Sequence, residues 1–298
     1  MNKILVSGLI NIETTLQVEG FPVEYNPVCF PFFGIQSSVS GVGYNVAKAL
    51  TVLGDQVDLL SLVGADDAAG LVYQALERDA VSPRNVLPSL TNTPQSVILY
   101  DKQGRRAIYT DLKDIQERDY PAERFGQILE DCSMAVLCNI NFSRPYLQRV
   151  RRAGKLLATD VHAVADVEDP YNRDFMAAAD ILFLSDENLP CSPEEWVRRL
   201  WQQYEAGLVV VGLGEKGALL GVRSDGFLER IPTMQTRPVK NTIGAGDALF
   251  SGFVHFYQQS GDPYRAIRKA VAFASYKVGA VGAAEGFLDE AALEALIS

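Results

Sequence analysis

The chain predicts a three-layer α/β sandwich, with a central mostly parallel sheet between helices and a small β lid. Three observations carry this expectation. Short apolar runs alternate with amphipathic helical stretches through most of the sequence, the pattern of parallel strands joined by crossover helices. The alternation is interrupted twice, over about 13–33 and 91–112. A glycine-rich stretch, Lys240-Asn241-Thr242-Ile243-Gly244-Ala245-Gly246-Asp247-Ala248, then runs directly into a long helical segment.

Taken in order, Ile4–Val6 ends in Ser7-Gly8 and reads as a buried first strand. Residues about 12–38 hold Pro22, Pro27 and Pro31 among the aromatics Phe21, Tyr25, Phe30, Phe32 and Phe33. They make a poor core helix and read as a pair of strands or a flap. From Val42 the residues Val46, Ala49, Leu50 and Leu53 recur at helical spacing as far as Gly54. Val57–Val63 is a strand, and 66–80 a helix that ends before Ser82-Pro83. Ser96–Tyr100 and Arg105–Thr110 flank a polar turn and read as a hairpin. A hairpin is not a crossover unit of a parallel sheet, so this one joins the first interruption in a lid outside the main body. The alternation resumes with strands at Ala135–Cys138, Lys155–Thr159, Ile181–Leu184, Leu208–Val211 and Ala218–Val222 and helices over 143–153 and 193–205. The last third is helical, over 244–259, 263–279 and 289–297. We read one domain over 1–298.

Composition narrows the function. At 48% hydrophobic residues over 298 positions, a large core is easily built. The net charge of −10 and the pI near 4.8 argue against nucleic-acid binding, which needs a basic surface. Arg144, Arg149, Arg151 and Arg152 fall in one expected helix and read as a solvated face. The four cysteines form no CxxC pair, and with two histidines a zinc site is not expected. Nothing approaches the 18 consecutive apolar residues of a membrane span, and the first ten residues are too short an apolar run for a signal peptide. The expectation is a cytoplasmic enzyme with free thiols and no membrane contact.

The glycine-rich stretch carries the chemistry. After Ala245 the small and apolar residues Ala248, Leu249, Gly252, Phe253 and Phe256 keep one helical face, so Gly244-Ala245-Gly246 lies at a helix N-terminus. There the first N–H groups lack intrahelical partners and face the positive end of the macrodipole, which suits a phosphate. The backbone of Ala245, Gly246 and Asp247 would hold a moving phosphoryl group, and Asp247 would take the proton of an attacking hydroxyl. Alone, these residues also fit an acid in a first helical turn beside a tight loop.

The stretch resembles the C-terminal signature of ribokinase-like (PfkB-type) carbohydrate and nucleoside kinases, Asp-Thr-x-Gly-Ala-Gly-Asp, with Asn241 where Asp is usual. Ser40-Gly41-Val42-Gly43-Tyr44-Asn45 resembles the N-terminal signature of the same family, Gly-Gly-x-Gly-x-Asn. Without the resemblance it would read as a helix start capped by Ser40. The likeness covers essentially the whole chain and implies a ribokinase-like three-layer sandwich, ATP with Mg2+ as donor, Asp247 as general base and the backbone of Gly244, Ala245, Gly246 and Asp247 as anion hole. It implies a sugar site at Asn11, Glu13, Gly41, Gly43 and Asn45, to which Asn139 at a strand end is added. It further implies nucleotide contacts at Ser185, Gly212, Gly214, Gly217 and Asn241, and a homodimer formed through the lid.

The chain also departs from the pattern. Glu13 stands where Asp is usual, and Val42 and Tyr44 stand where ribokinase proper has Lys and Ala. Gly212 replaces Thr, while Ser185 and Asn188 replace the Asn and Glu of an element near magnesium, leaving the metal ligands unassigned. Asn241 removes a carboxylate that lies near a monovalent cation in relatives, which leaves potassium activation open. Gly212-Leu-Gly214-Glu-Lys-Gly217 fits G-x-G-x-x-G but precedes an expected strand, so a dinucleotide fold fails on context, and no Walker A motif occurs. Asp160, His162 and His255 lack a G-x-S-x-G elbow, and both histidines are expected to be structural or superficial.

The acceptor is expected to be a sugar hydroxyl. A nucleoside of the pseudouridine-kinase type is the rival, supported by the forms of both signatures, by Asp111-Leu112 and by an aromatic flap able to stack on a base. A sugar phosphate has only Arg105 and Arg106 to bind it. A non-catalytic sugar-binding protein fits the departures at 185, 188, 212 and 241 but not the intact Gly-Ala-Gly-Asp.

Overall fold

A computed structural model describes residues 3–297. Nine strands form the main sheet. In chain order they are β1 (Lys3–Ser7), β4 (Gln56–Gly64), β5 (Val86–Leu90), β8 (Met134–Leu137), β9 (Leu156–Asp160), β10 (Ile181–Ser185), β11 (Leu208–Gly212), β12 (Ala218–Val222) and β13 (Phe227–Ile231). Their spatial order is β13-β12-β11-β10-β9-β8-β1-β4-β5. From β5 through β11 every neighbouring pair is parallel, and β12 and β13 are added antiparallel.

Both faces of the sheet are covered, so the strands are apolar on both sides and alternate between two cores. Ile4 and Val6 point into one core and Leu5 into the other; Val210 is opposed in the same way to Val209 and Val211. The first core is closed by α1 (Val42–Leu53), α2 (Asp67–Arg78), α7 (Ala245–Ser260), α8 (Pro263–Lys277) and α9 (Glu290–Ile297). The second is closed by α3 (Ala122–Asp131), α4 (Leu147–Arg152), α5 (Arg173–Ala178) and α6 (Pro193–Gln203).

The lid is a separate four-stranded sheet, ordered β3-β2-β6-β7, made of β2 (Asn11–Gln17), β3 (Ile35–Ser40), β6 (Gln95–Tyr100) and β7 (Arg106–Asp111). The first inserted segment therefore reaches Ser40 rather than about residue 33. The aromatic stretch lies between its two strands, where prolines deny the ladder its N–H donors. The expected helix over 143–153 is shorter. Pro145 confines 141–146 to a 3-10 turn before α4 begins.

Of the arginines there, Arg149, Arg151 and Arg152 are exposed, as the expected solvated face requires, while Arg144 is half-buried. The Arg144 guanidinium stacks on Tyr171 and Phe175 and donates to the Tyr171 carbonyl, while Arg149 and Arg151 donate to the carbonyls of Ala122 and Ala177. They tie α3, α4 and α5 together at their ends.

After β11 the chain turns through Gly214–Lys216 and returns as β12, which rules out a Rossmann turn at this point. Gly217 sits at φ +96°, where a Cβ would lie 2.0 Å from the Ile231 carbonyl oxygen of β13. Gly217→Ala should therefore lower stability by about 1–3 kcal/mol, read as a lower thermal midpoint by circular dichroism.

Candidate active site

The site lies along the carboxyl ends of β1, β8, β9, β10 and β11, the edge where open parallel sheets bind ligands. The lid arises from that edge, and the N-termini of α1 and α7 meet over it.

The start of α7 is set by Gly244, which adopts φ +76° and lies against the Ala283 carbonyl, with 2.4 Å from that oxygen to where a Cβ would be. Only glycine fits both demands. The N–H of Ala245 donates back to Thr242 at 3.2 Å, so it closes the loop and is not free for an anion. No capping side chain serves this helix. The N–H groups of Gly246 and Asp247 are thus left as first-turn donors without intrahelical partners. Gly246 is exposed, with open space where a side chain would be.

Asp247 is buried at the base of this opening. Its Oδ2 accepts a 2.7 Å hydrogen bond from Asn45 Nδ2, which joins the two signature segments across 202 residues of sequence. Burial pushes its carboxyl above the usual carboxylate range; the Asn45 bond, His162 and Lys277 pull it back, and Asp160 adds to the rise. Asp160 ends β9, and its Oδ1 accepts from the His162 N–H at 2.8 Å.

Asn45 and Glu13 share Ser40, whose hydroxyl lies 3.0 Å from Glu13 Oε2 and 3.3 Å from Asn45 Oδ1. Ser40 is therefore not a helix cap. It joins lid strands β2 and β3 to α1. Burial also raises the Glu13 carboxyl, and Asp247 raises it further, so the two acids are close enough to feel each other. Asn11 opens β2 and donates to Ser96 Oγ at 2.9 Å. Asn11 Oδ1 and Glu13 Oε1 are buried acceptors with no partner among the described residues. Such orphans are rare, and ligand hydroxyls would satisfy both.

Several expected site residues have structural duties. A Cβ on Gly43 would lie 2.5 Å from the Gly8 backbone, and one on Gly41 would lie 2.6 Å from the Leu9 carbonyl. The Leu9 carbonyl also accepts the N–H groups of Gly43 and Tyr44. These glycines let the start of α1 press onto the end of β1 and so aim Asn45; the space beside Gly43 holds backbone rather than ligand. Tyr44 is wholly buried and donates to Asp79 at the far end of α2, so its exchange for Ala does not alter the pocket. Asn139 Nδ2 is engaged by Asn172 at 3.0 Å.

On the nucleotide side, Ser185 and Gly212 are register partners at the ends of β10 and β11, and Ser185 Oγ accepts from the Glu187 N–H at 3.2 Å. Gly214 is exposed in the following turn, while Gly217 is spent on the β12–β13 crossing. Asn241 Oδ1 accepts from the Ile243 N–H at 2.8 Å, and its buried Nδ2 has no partner among the described residues. Among the described residues no three His, Cys, Asp or Glu side chains converge into a metal site.

Two contributors were not anticipated, and a third, Arg106, was considered only as a ligand for a sugar phosphate. Ser40 was seen only as an imperfect glycine or a helix cap. Lys277 lies in a helix whose amphipathic pattern gives no sign of its burial. Arg106, on lid strand β7, reaches Thr242 Oγ1 and Glu187 Oε1, each at 3.4 Å, and so bridges the lid to the nucleotide edge. His255, by contrast, is a buried structural residue bonded to Asp55 at 2.8 Å.

Comparisons with known proteins show the family and the fold. The model of the pfkB family carbohydrate kinases matches residues 1–291. An ATP-dependent ribose-1-phosphate kinase of Halopiger xanaduensis is 26% identical over 292 residues, covering 95% of this chain and 94% of its own. An acarbose 7(IV)-phosphotransferase of an Actinoplanes species is 25% identical over 293 residues, covering 97% and 96%. Among solved structures, a microbiome-derived acarbose kinase superposes with a TM-score of 0.86 at 25% identity, covering 99% and 98% of the two chains. A ribokinase of Arabidopsis thaliana, solved with ribose and ATP, shares the fold at a TM-score of 0.80 and 19% identity, covering 99% and 98%.

Two predictions follow from Asp247. Its ionisation in the folded state is disfavoured, so folding stability attached to it is greatest below the unfolded carboxylate pKa and is lost as pH rises through the higher folded value. Asp247→Asn removes that cost at neutral pH: turnover should fall by about 100- to 10,000-fold while the thermal midpoint stays level or rises. In the unaltered protein kcat should decline on acidification with a midpoint above about 4, the ordinary carboxylate value, measured as a pH–rate profile at saturating substrates.

Proposed function

The chain belongs to the pfkB family of carbohydrate kinases and is an ATP-dependent kinase of sugar hydroxyls, and we propose that it phosphorylates a neutral sugar with Asp247 as general base. The observation that carries this reading is the Asn45–Asp247 hydrogen bond. It holds the base beside Glu13 and Asn11, whose unpartnered acceptors suit the hydroxyls of a polyol.

A sugar hydroxyl bound there loses its proton to Asp247 as it attacks the γ-phosphorus of ATP, and the bond from that phosphorus to the β,γ-bridging oxygen breaks to release ADP. A carboxylate is a weak base for an alcohol, so the proton moves late, as the oxygen–phosphorus bond forms. The N–H groups of Gly246 and Asp247 stabilise the charge on the transferred group. Magnesium enters with ATP as part of that substrate, and Asp186 and Glu187 beyond β10 offer oxygen ligands of the right hardness. Arg106 supplies positive charge from the lid, and lid closure excludes water that would otherwise hydrolyse ATP. Two buried acids in the acceptor crevice disfavour an anionic sugar phosphate there.

The lid also offers a face for a second copy of the chain. Val97, Ile108 and Tyr109 on its strands, and Phe30, Phe32 and Phe33 between them, are large apolar side chains left exposed. The four cysteines are free thiols, which suits the reducing cytoplasm.

The test is ADP release from MgATP over a panel of pentoses, hexoses, oligosaccharides, nucleosides and sugar phosphates. We expect stimulation by a neutral sugar. Stimulation by a nucleoside alone would move the chain to the rival reading and make the exposed aromatics a base platform. Stimulation by a sugar phosphate alone would contradict the charge argument.

A further inference from the structure

Lys277 closes α8 and is wholly buried. Its ammonium donates to the carbonyl of Ile243, the residue just before the left-handed Gly244. Among the described residues no carboxylate forms an ion pair with it. An ammonium buried in this way is costly and persists where it answers a fixed demand. The charged groups around it are Asp247 of α7, Glu13 of the lid and Glu285 of the following loop, which favour its charge, and Arg237, which opposes it. Burial outweighs them and lowers its pKa to about 8, so it stays mainly charged at neutral pH.

The loop that receives this ammonium is the one that aims the anion-site donors. The peptide plane carrying the Ile243 carbonyl also carries the Gly244 N–H. Fixing that plane therefore fixes the turn into α7. The same loop is tied to the end of α8 by the N–H groups of Lys240 and Asn241, both donating to the Val278 carbonyl at 2.8 and 3.1 Å. The Asn241 side chain has little left to offer a bound metal cation. Asn241 has no charge, and its carbonyl oxygen is already taken by the Ile243 N–H.

We propose that Lys277 is a built-in cation for the phosphoryl-transfer loop: its ammonium holds the Ile243 carbonyl and supplies the positive charge behind Glu13 and Asp247, so turnover does not require a bound monovalent cation. Lys277 is a positioning residue, acting through the loop and not on the reacting atoms. The inference rests on the reading of Gly246 and Asp247 as the anion site.

Initial rates with MgATP and the sugar identified by the panel test it, in buffer whose only monovalent cation is tetramethylammonium. Potassium or sodium added to the unaltered enzyme should change kcat by less than about 2-fold, well inside the effect of losing a group that orients catalytic donors. Lys277→Ala should lower kcat by about 10- to 100-fold, with a smaller change in the sugar KM, and potassium, ammonium or methylammonium should restore much of the loss. An unaltered enzyme that needs potassium overturns the proposal, and this arm requires no variant to fold. So does an alanine variant with undiminished kcat, or one whose loss no small cation repairs. Asp247→Asn run alongside separates the two ideas, because turnover surviving that change defeats the anion-site reading itself whatever the cation series gives.

Discussion

The structure depends on one buried carboxylate held by one hydrogen bond. Asp247 must be ionised to act as a base, yet it lies where water cannot solvate it. Its charge is tolerated through Asn45, the positive end of α7, and the potential from Lys277 and His162. Asn45 can reach it only because α1 starts hard against the end of β1, which requires the bare backbones of Gly8 and Gly43. The glycines of the first signature thus serve the aspartate of the second, although neither stretch touches the other in sequence.

This arrangement couples the lid to the chemistry. Ser40 ends the lid strand β3, and its hydroxyl meets both Glu13 of the lid and Asn45 of α1. In the proposed reading, a sugar that completed the bonding of Asn11 and Glu13 would therefore draw on the same network that orients Asp247. From the other side Arg106 ties the lid to Thr242, the residue whose carbonyl closes the loop before α7. Closure, acceptor binding and loop geometry are linked by contacts of ordinary strength, each worth about 1 kcal/mol or less. Repeated opening and closing needs contacts of that size.

Much of this was legible in the sequence, for physical reasons. Parallel strands buried on both faces announce themselves as apolar runs, and glycines at helix starts announce close approach, so an α/β sheet covered by helices, its lid hairpin and the Gly-Ala-Gly-Asp turn could be read directly, while the ribokinase-like family came from the resemblance of the two signatures. Helix α3 was not, because only Phe125, Ile128 and Leu129 mark its apolar face among charged neighbours. Strand β5 carries Pro88 and Ser89, which mask its period. Within the candidate site, motif spacing pointed to Asp247 and Asn45, which the fold joins by a hydrogen bond, but could not say which backbone groups were already engaged. Ala245, Gly43 and Asn139 are spent on internal bonds or contacts. Ser40 and Lys277 were missed because a hydroxyl replacing a glycine, or a lysine at a helix end, carries no local sign of what it will meet across the fold.

The central claim is spatial: the acceptor hydroxyl, the base and two backbone N–H groups surround a single phosphoryl position. A crystal structure of the protein with its sugar, MgADP and aluminium fluoride tests it most directly. The account predicts the fluoride group on the N–H groups of Gly246 and Asp247, with one sugar hydroxyl between its aluminium and the Asp247 carboxylate. A fluoride group seated elsewhere, or a sugar whose hydroxyls all lie beyond hydrogen-bonding reach of Asp247, would contradict it.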